Sequence, residues 1–398
     1  MRIAKRNDRR RAECQEITDQ RSMRLATGID ADPKGLRKRI SGRFLASVSM
    51  AALLVSGASA YLPSASAGAA SQPASQPASP TQPTSGPGAN GPCTSTNSTI
   101  WNPALAWQLI TTYYPGGTAA APETGGNCGD SRRPVVFFVH ALFAGNTALY
   151  TTIINHLVST GNIVVFATYN TNPLDIPTSA NDENTAIMTA AAALTRDDLS
   201  RIGIMGHSMG AGETAFLAQQ AALRGWGWQS TWVYVLAPWY VVNVGTGPIW
   251  MLPNTRLLVE NFDNDTFVDE RIGIDYLNAA TLPASQKMHV ELQSQTRGTV
   301  SLSATHVTPN EFIAPDDSLK YYGILRNADL LESCSLKNSG CNWSGMSTMG
   351  KWSDGQAATP AIISGNPVDQ GPSSLAECNN TSNPRAADCG VSNITPPA

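Results

Sequence analysis

Six short β-rich runs, most of them largely apolar, recur along the middle of the chain: PVVFFVH (134–140), NIVVFATY (162–169), RIGIMG (201–206), TWVYVLAP (231–238), RLLVENF (256–262) and KMHVELQS (287–294). They are rich in β-branched and aromatic residues, so each predicts a strand covered on both faces. Between them, TALYTTIINHLVSTG, ENTAIMTAAAALTRDD, GAGETAFLAQQAALRG and DERIGIDYLNAA carry apolar residues at helical spacing. This alternation predicts one α/β domain over 98–335, with a mostly parallel central sheet and helices on both faces.

The flanks read differently. From Ala67 to Pro92 the chain repeats Ser, Gln, Pro and Ala with no apolar periodicity, the composition of a flexible tether, and the linker is placed at 61–97. Ahead of it, basic residues precede an apolar run from Phe44 to Val55 that ends in Ala58-Ser59-Ala60. That order predicts a secretory signal over 1–60 with a long basic region. The run is short of the ~20 residues a spanning helix needs, so no lasting membrane insertion is expected. From Leu336 an Asn-, Pro- and Cys-rich extension runs to 398, where Trp343 and Trp352 are expected to cover the core rather than rim a site.

Charge and cysteine usage agree with export. Of 27 Lys/Arg and 30 Asp/Glu, 13 and 6 lie in residues 1–60, which leaves 14 basic against 24 acidic residues. A body of that sign does not seek nucleic acid. Six cysteines remain beyond Cys14, an even set that predicts three disulfides in an oxidising compartment. Pairing of sequence neighbours would join Cys93 to Cys128, Cys334 to Cys341 and Cys378 to Cys389. No Cys/His spacing suggests a metal, and no cofactor is expected.

The candidate chemistry starts at GHSMG (206–210), directly after the strand-like RIGIMG and before a helical run. A G-x-S-x-G pattern in that context is a nucleophile elbow: a sharp turn lifts the hydroxyl of Ser208 above the sheet and aims the helix N-terminus at it. Such a serine needs a base, and the base needs an anion, in the chain order serine, acid, histidine. Only His289 and His306 follow Ser208. His289 sits inside a strand run, whereas His306 lies in a loop able to reach over the sheet edge, and is the expected base. Glu260, Asp263, Asp265 and Asp269 compete for the acid; Asp265 fits best by its D-x-x-V spacing, with Asp263 next. The cluster lacks the glycine and distal glutamate of an EF-hand calcium loop. For an oxyanion, the backbone N–H groups of Leu142 and Met209 are nominated, because FFVHALFAGN resembles the H-G-x loop of esterases and lipases. His140 and Phe143 then face the substrate side of that loop, with His140 bracing it.

The stretches YNTNPLDIPTSANDE, GIMGHSMGAGET, VLAPWY, NFDNDTFVD and ATHVTPNE occur in the order and approximate spacing of bacterial cutinase-like polyester hydrolases and their triacylglycerol lipase and dienelactone-hydrolase-like relatives. The resemblance covers about 134–315. It implies an α/β-hydrolase fold, ester hydrolysis by Ser208, Asp265 and His306, and Trp239 as an aromatic wall for the acyl or aryl part of an ester. The expected partner is a small or polymeric ester, and the mature protein is expected to be a monomer secreted to the periplasm or outside the cell. Three departures stand out: His140-Ala141-Leu142 replaces the family's Pro-Gly-aromatic turn, SQTRGTVSLS is inserted before His306, and the C-terminal extension has no counterpart. A lipase or peptidase on the same scaffold and a non-catalytic exported binding protein are the rival readings.

Overall fold

The computed structural model describes residues 77–368, apart from 106, 119–120, 122–126, 130, 173–174, 246 and 312. All six apolar runs form strands: β3 (Arg133–Val139), β4 (Ile163–Ala167), β5 (Asp197–His207), β6 (Ser230–Leu236), β7 (Thr255–Phe262) and β8 (Lys287–Leu292). They lie parallel to their neighbours. The antiparallel hairpin of β1 (Ser95–Trp101) and β2 (Leu109–Pro115) pairs with β4 at one edge. At the other edge the short β11 (Ile362–Ser364) pairs antiparallel with β8. The sheet order is β1-β2-β4-β3-β5-β6-β7-β8-β11, nine strands in all.

Alternate residues of each central strand feed two cores. Val135, Phe137 and Val139 face one, together with α2 (Ile176–Ala193), α3 (Met209–Leu223) and α4 (Glu270–Ala279). Val136 and Phe138 face the other, with α1 (Thr151–Ser159) and α5 (Arg326–Leu336). This is a mixed, mostly parallel sheet between two helical layers, the arrangement that fully apolar strands require.

The boundaries differ from expectation for local reasons. Helix α2 begins seven residues before ENTAIM, because Asp175 accepts a cap bond from Thr178 N at 3.3 Å and proline occupies the first turn. The expected tether is held on the fold from Ala78 onward: Ala78 N donates to Ser353 Oγ at 2.8 Å, Gly88 N to Asp329 Oδ2 at 2.7 Å and Gly91 N to Ser159 Oγ at 2.8 Å. Such a strap needs no core of its own, because side chains of the main body satisfy its backbone. The boundary at 335 falls inside α5, and the chain beyond it supplies β11 and buries Trp352 at 3 % exposure. Trp343 also packs on the core, its indole N–H donating to Ser285 O.

Two of the expected disulfides are formed, Cys93–Cys128 and Cys334–Cys341. They fit an oxidising compartment. Cys378 and Cys389, like the leader expected over 1–60, lie outside the described residues. Among the described residues no helix is long and apolar enough to cross a membrane.

Candidate active site

The site sits at the C-terminal ends of the parallel strands. Ser208 follows β5 directly and precedes the first residue of α3, with φ 58° and ψ −120°. A non-glycine residue at positive φ costs of order 1–3 kcal/mol and persists only where the surroundings impose it. Two close approaches impose it: a Cβ on Gly206 would lie 2.5 Å from Gly210 O, and one on Gly210 would lie 2.5 Å from Val139 O. Only glycine lets the turn close against β3. The Ser208 backbone is tied down by its N–H to Leu236 O and by its carbonyl accepting from Trp239 N, each at 2.9 Å.

His306 reaches Ser208 from a loop at the end of the segment inserted before it. SQTRGTVSLS folds largely as a hairpin of β9 (Gln295–Arg297) and β10 (Val300–Leu302), held to the body by an Arg297–Asp354 ion pair. The imidazole Nε2 lies 2.8 Å from Ser208 Oγ, and Nδ1 lies 2.7 Å from Asp265 Oδ2. The other oxygen of Asp265 accepts the N–H groups of Phe267 at 2.8 Å and Val268 at 3.1 Å. This makes Nδ1 the protonated nitrogen and leaves Nε2 free to accept the serine proton. A hydroxyl, an imidazole and a carboxylate in this order form a unit in which the hydroxyl becomes a nucleophile as it loses its proton.

The competing carboxylates are occupied elsewhere. Asp263 accepts from Ser294 N and Oγ at 2.7 and 2.6 Å. Asp269 caps α4 and pairs with Arg271. Glu260 is buried, accepting from Tyr234 Oη at 2.7 Å and Asn327 Nδ2 at 3.2 Å, and burial pushes its carboxyl up to about 8. His289 is fixed on β8 against Asn261 Nδ2 at 3.1 Å, and burial lowers it to about 4. It makes no contact with Ser208.

Of the two residues whose N–H groups are expected to serve an oxyanion, Leu142 is partly buried on the turn after β3, and Met209 is the first residue of α3. Neither N–H has a protein acceptor among the described residues. For Met209 this follows from its place in the first helical turn. His140 does not reach the site surface: it is 1 % exposed, its Nδ1–H donates to Ala141 O at 2.8 Å, and burial lowers it to about 4. It braces the loop, and the substrate contact expected of it is replaced by that role. Phe143 is 79 % exposed. Trp239 is half-buried, with its ring against Tyr240 at 4.8 Å.

Three further groups were not singled out from the sequence. Phe267, 64 % exposed, stacks on the His306 ring with centroids 5.3 Å apart. Tyr150 and His207 form a buried bridge to the His306 loop: Tyr150 Oη lies 3.0 Å from His207 Nδ1, and His207 Nε2 lies 2.8 Å from His306 O. The signal for Phe267 was its place between Asp265 and Val268; Tyr150 lies in a helical run and carried none.

Among the described residues no cluster of three or more His, Cys, Asp or Glu side chains is placed to hold a metal. The sequence matches no known family model and no curated protein.

Proposed function

We propose that this chain is a serine hydrolase that cleaves carboxylic esters through an acyl-enzyme intermediate, on an α/β-hydrolase fold. The observation that carries the reading is the single imidazole of His306 bonded at once to Ser208 Oγ at 2.8 Å and Asp265 Oδ2 at 2.7 Å. These residues lie 98 and 41 positions away from His306 in the chain. A hairpin and a strained elbow that both serve one contact are hard to account for by packing alone.

In this reading His306 takes the proton of Ser208 as its oxygen attacks the ester carbonyl. The N–H groups of Leu142 and Met209 receive the charge of the tetrahedral intermediate, each contributing roughly 3 kcal/mol in comparable sites. His306 then protonates the departing alcohol. Water, deprotonated by the same imidazole, attacks the acyl-serine and releases the acid, while Asp265 holds the imidazolium in register throughout. Exposed Phe143 and Phe267, with half-buried Trp239, give the mouth an apolar rim that suits an acyl or aryl group. A cutinase-, lipase- or polyesterase-like substrate agrees with that rim, and a secreted protein agrees with the disulfides and the leader read from the sequence.

Turnover of p-nitrophenyl acetate by the wild type and by Ser208→Ala tests the reading. The variant is expected to stay folded and to lose roughly 10⁴-fold or more of kcat. Undiminished turnover would mean that the elbow is not the reactive centre.

A further inference from the structure

We infer that Tyr150 and Tyr169 clamp the peptide joining His140 to Ala141, and that Tyr150 ties this clamp through His207 to the backbone of His306. Both tyrosines are then positioning residues that align the oxyanion donor with the base. The inference rests on the ester-hydrolase reading above and assigns work to residues which that reading leaves idle.

Tyr169 Oη donates to the carbonyl of His140 at 2.9 Å, and the N–H of Ala141 donates to Tyr150 Oη at 3.1 Å. These two backbone groups belong to one planar peptide unit, so it is held at both ends. The next unit carries the Leu142 N–H. Its carbonyl, Ala141 O, accepts from His140 Nδ1 at 2.8 Å and from Ala144 N at 3.0 Å. In a trans peptide the N–H points away from the carbonyl, so anchoring Ala141 O on the protein side directs the Leu142 N–H the opposite way. Beyond it, Phe143 is set at φ 58° with its N–H on Thr171 Oγ1 at 3.1 Å. From Ala141 to Ala144 the Leu142 N–H is thus the one backbone N–H without an acceptor among the described residues.

The second half of the device runs to the base. Tyr150 Oη donates to His207 Nδ1 at 3.0 Å, and His207 Nε2–H donates to the His306 carbonyl at 2.8 Å. One phenol therefore touches the loop that stabilises the oxyanion and, through one imidazole, the loop that carries the base. All three brace side chains are buried, at 0 % exposure for Tyr150 and 1 % for Tyr169 and His207. The carbonyls of His140 and His306 can only accept, which fixes the direction of each bond, and burial agrees with that direction. It pushes Tyr150 up to about 12 and Tyr169 well above the usual phenol range, so both stay donors. It holds His207 well below the usual imidazole range, with the neighbouring His306 adding to the effect. The His207 ring, 4.9 Å from that of His306, therefore adds no like charge when His306 becomes an imidazolium.

The test is Tyr150→Phe, which keeps the ring in the core and removes only the hydroxyl. Rates are measured with p-nitrophenyl acetate per active site, counted by fluorophosphonate titration so that unfolded molecules drop out. The variant is expected to lose about tenfold in kcat with KM within twofold, a fraction of the hundredfold or more that deleting an oxyanion donor costs. Inhibition by phenylboronic acid, which forms a tetrahedral adduct on the serine, should weaken by a similar factor. Tyr169→Phe, read in the same way, decides the matter if Tyr150→Phe does not fold. A kcat within twofold of wild type overturns the clamp while leaving the hydrolase reading intact. An inactive wild type removes both.

Discussion

Two carboxyl groups five residues apart at the end of β7 show how differently one fold treats the same chemistry. Asp265 lies at the rim, where two backbone N–H groups and an imidazole are aimed at it. Glu260 lies beneath, where a phenol and an amide reach one oxygen and the other has no partner among the described residues. Burial leaves Glu260 holding its proton up to about pH 8. Glu183 and Glu213, buried between α2 and α3, are raised in the same direction by the same cause, and Glu213 further by its proximity to Glu183. At the rim the groups that meet Asp265 are all hydrogen-bond donors. In the interior, burial without a cationic partner among the described residues favours Glu183, Glu213 and Glu260 as neutral acids.

The sharpest way to break this contrast is to remove the imidazoles in parallel. His306→Ala is expected to lower kcat by roughly 10⁴-fold or more, as loss of a triad member does, while His289→Ala changes kcat little. Asp265→Asn should cost on the order of 10⁴-fold by favouring the wrong tautomer, with Asp263→Asn near wild type. A larger loss from either control would move the site. Steady-state kinetics on the four variants decides it.

A smaller effect lies in stability against pH. The folded pKa of Glu260, about 8, stands above the ordinary 4.5, so between those values the folded protein keeps a proton that the unfolded chain releases. The penalty of burial is absent below about pH 4.5 and grows as pH rises toward 8, at a cost on the order of several kcal/mol if fully expressed. Glu332, raised to about 7 by burial, adds to the slope in the same direction. Glu260→Gln should flatten the fall of the urea midpoint between pH 5 and 8.5. Parallel curves for variant and wild type would show that Glu260 ionises without cost.

The strands were readable because residues such as Val135 through Val139 are apolar without alternation, and only a sheet covered on both faces needs that. The elbow was readable because its glycines answer a local steric demand. The hairpin of β1 and β2 escaped because STNSTIW alternates half-buried and exposed positions at an edge, where pairing and not composition decides. The strap from Ala78 to Pro92 escaped for a similar reason: Pro, Gly and Ser carry no periodicity, and the bonds to Asp329 and Ser159 that hold it are long-range. Choosing Asp265 over Asp263 from the sequence rested on spacing alone; the structure separates them by what each one bonds. The tyrosine clamp had no sequence signal, since Tyr150 and Tyr169 meet only through the fold.

The central claim is that Ser208 is made reactive by His306. Mass-spectrometric mapping of a fluorophosphonate adduct on the folded wild type, His306→Ala and His289→Ala proteins tests it most directly. The account predicts one adduct, on Ser208, formed by the wild type and by His289→Ala and nearly absent from His306→Ala. An adduct on another residue, or equal labelling of Ser208 in all three proteins, would contradict it.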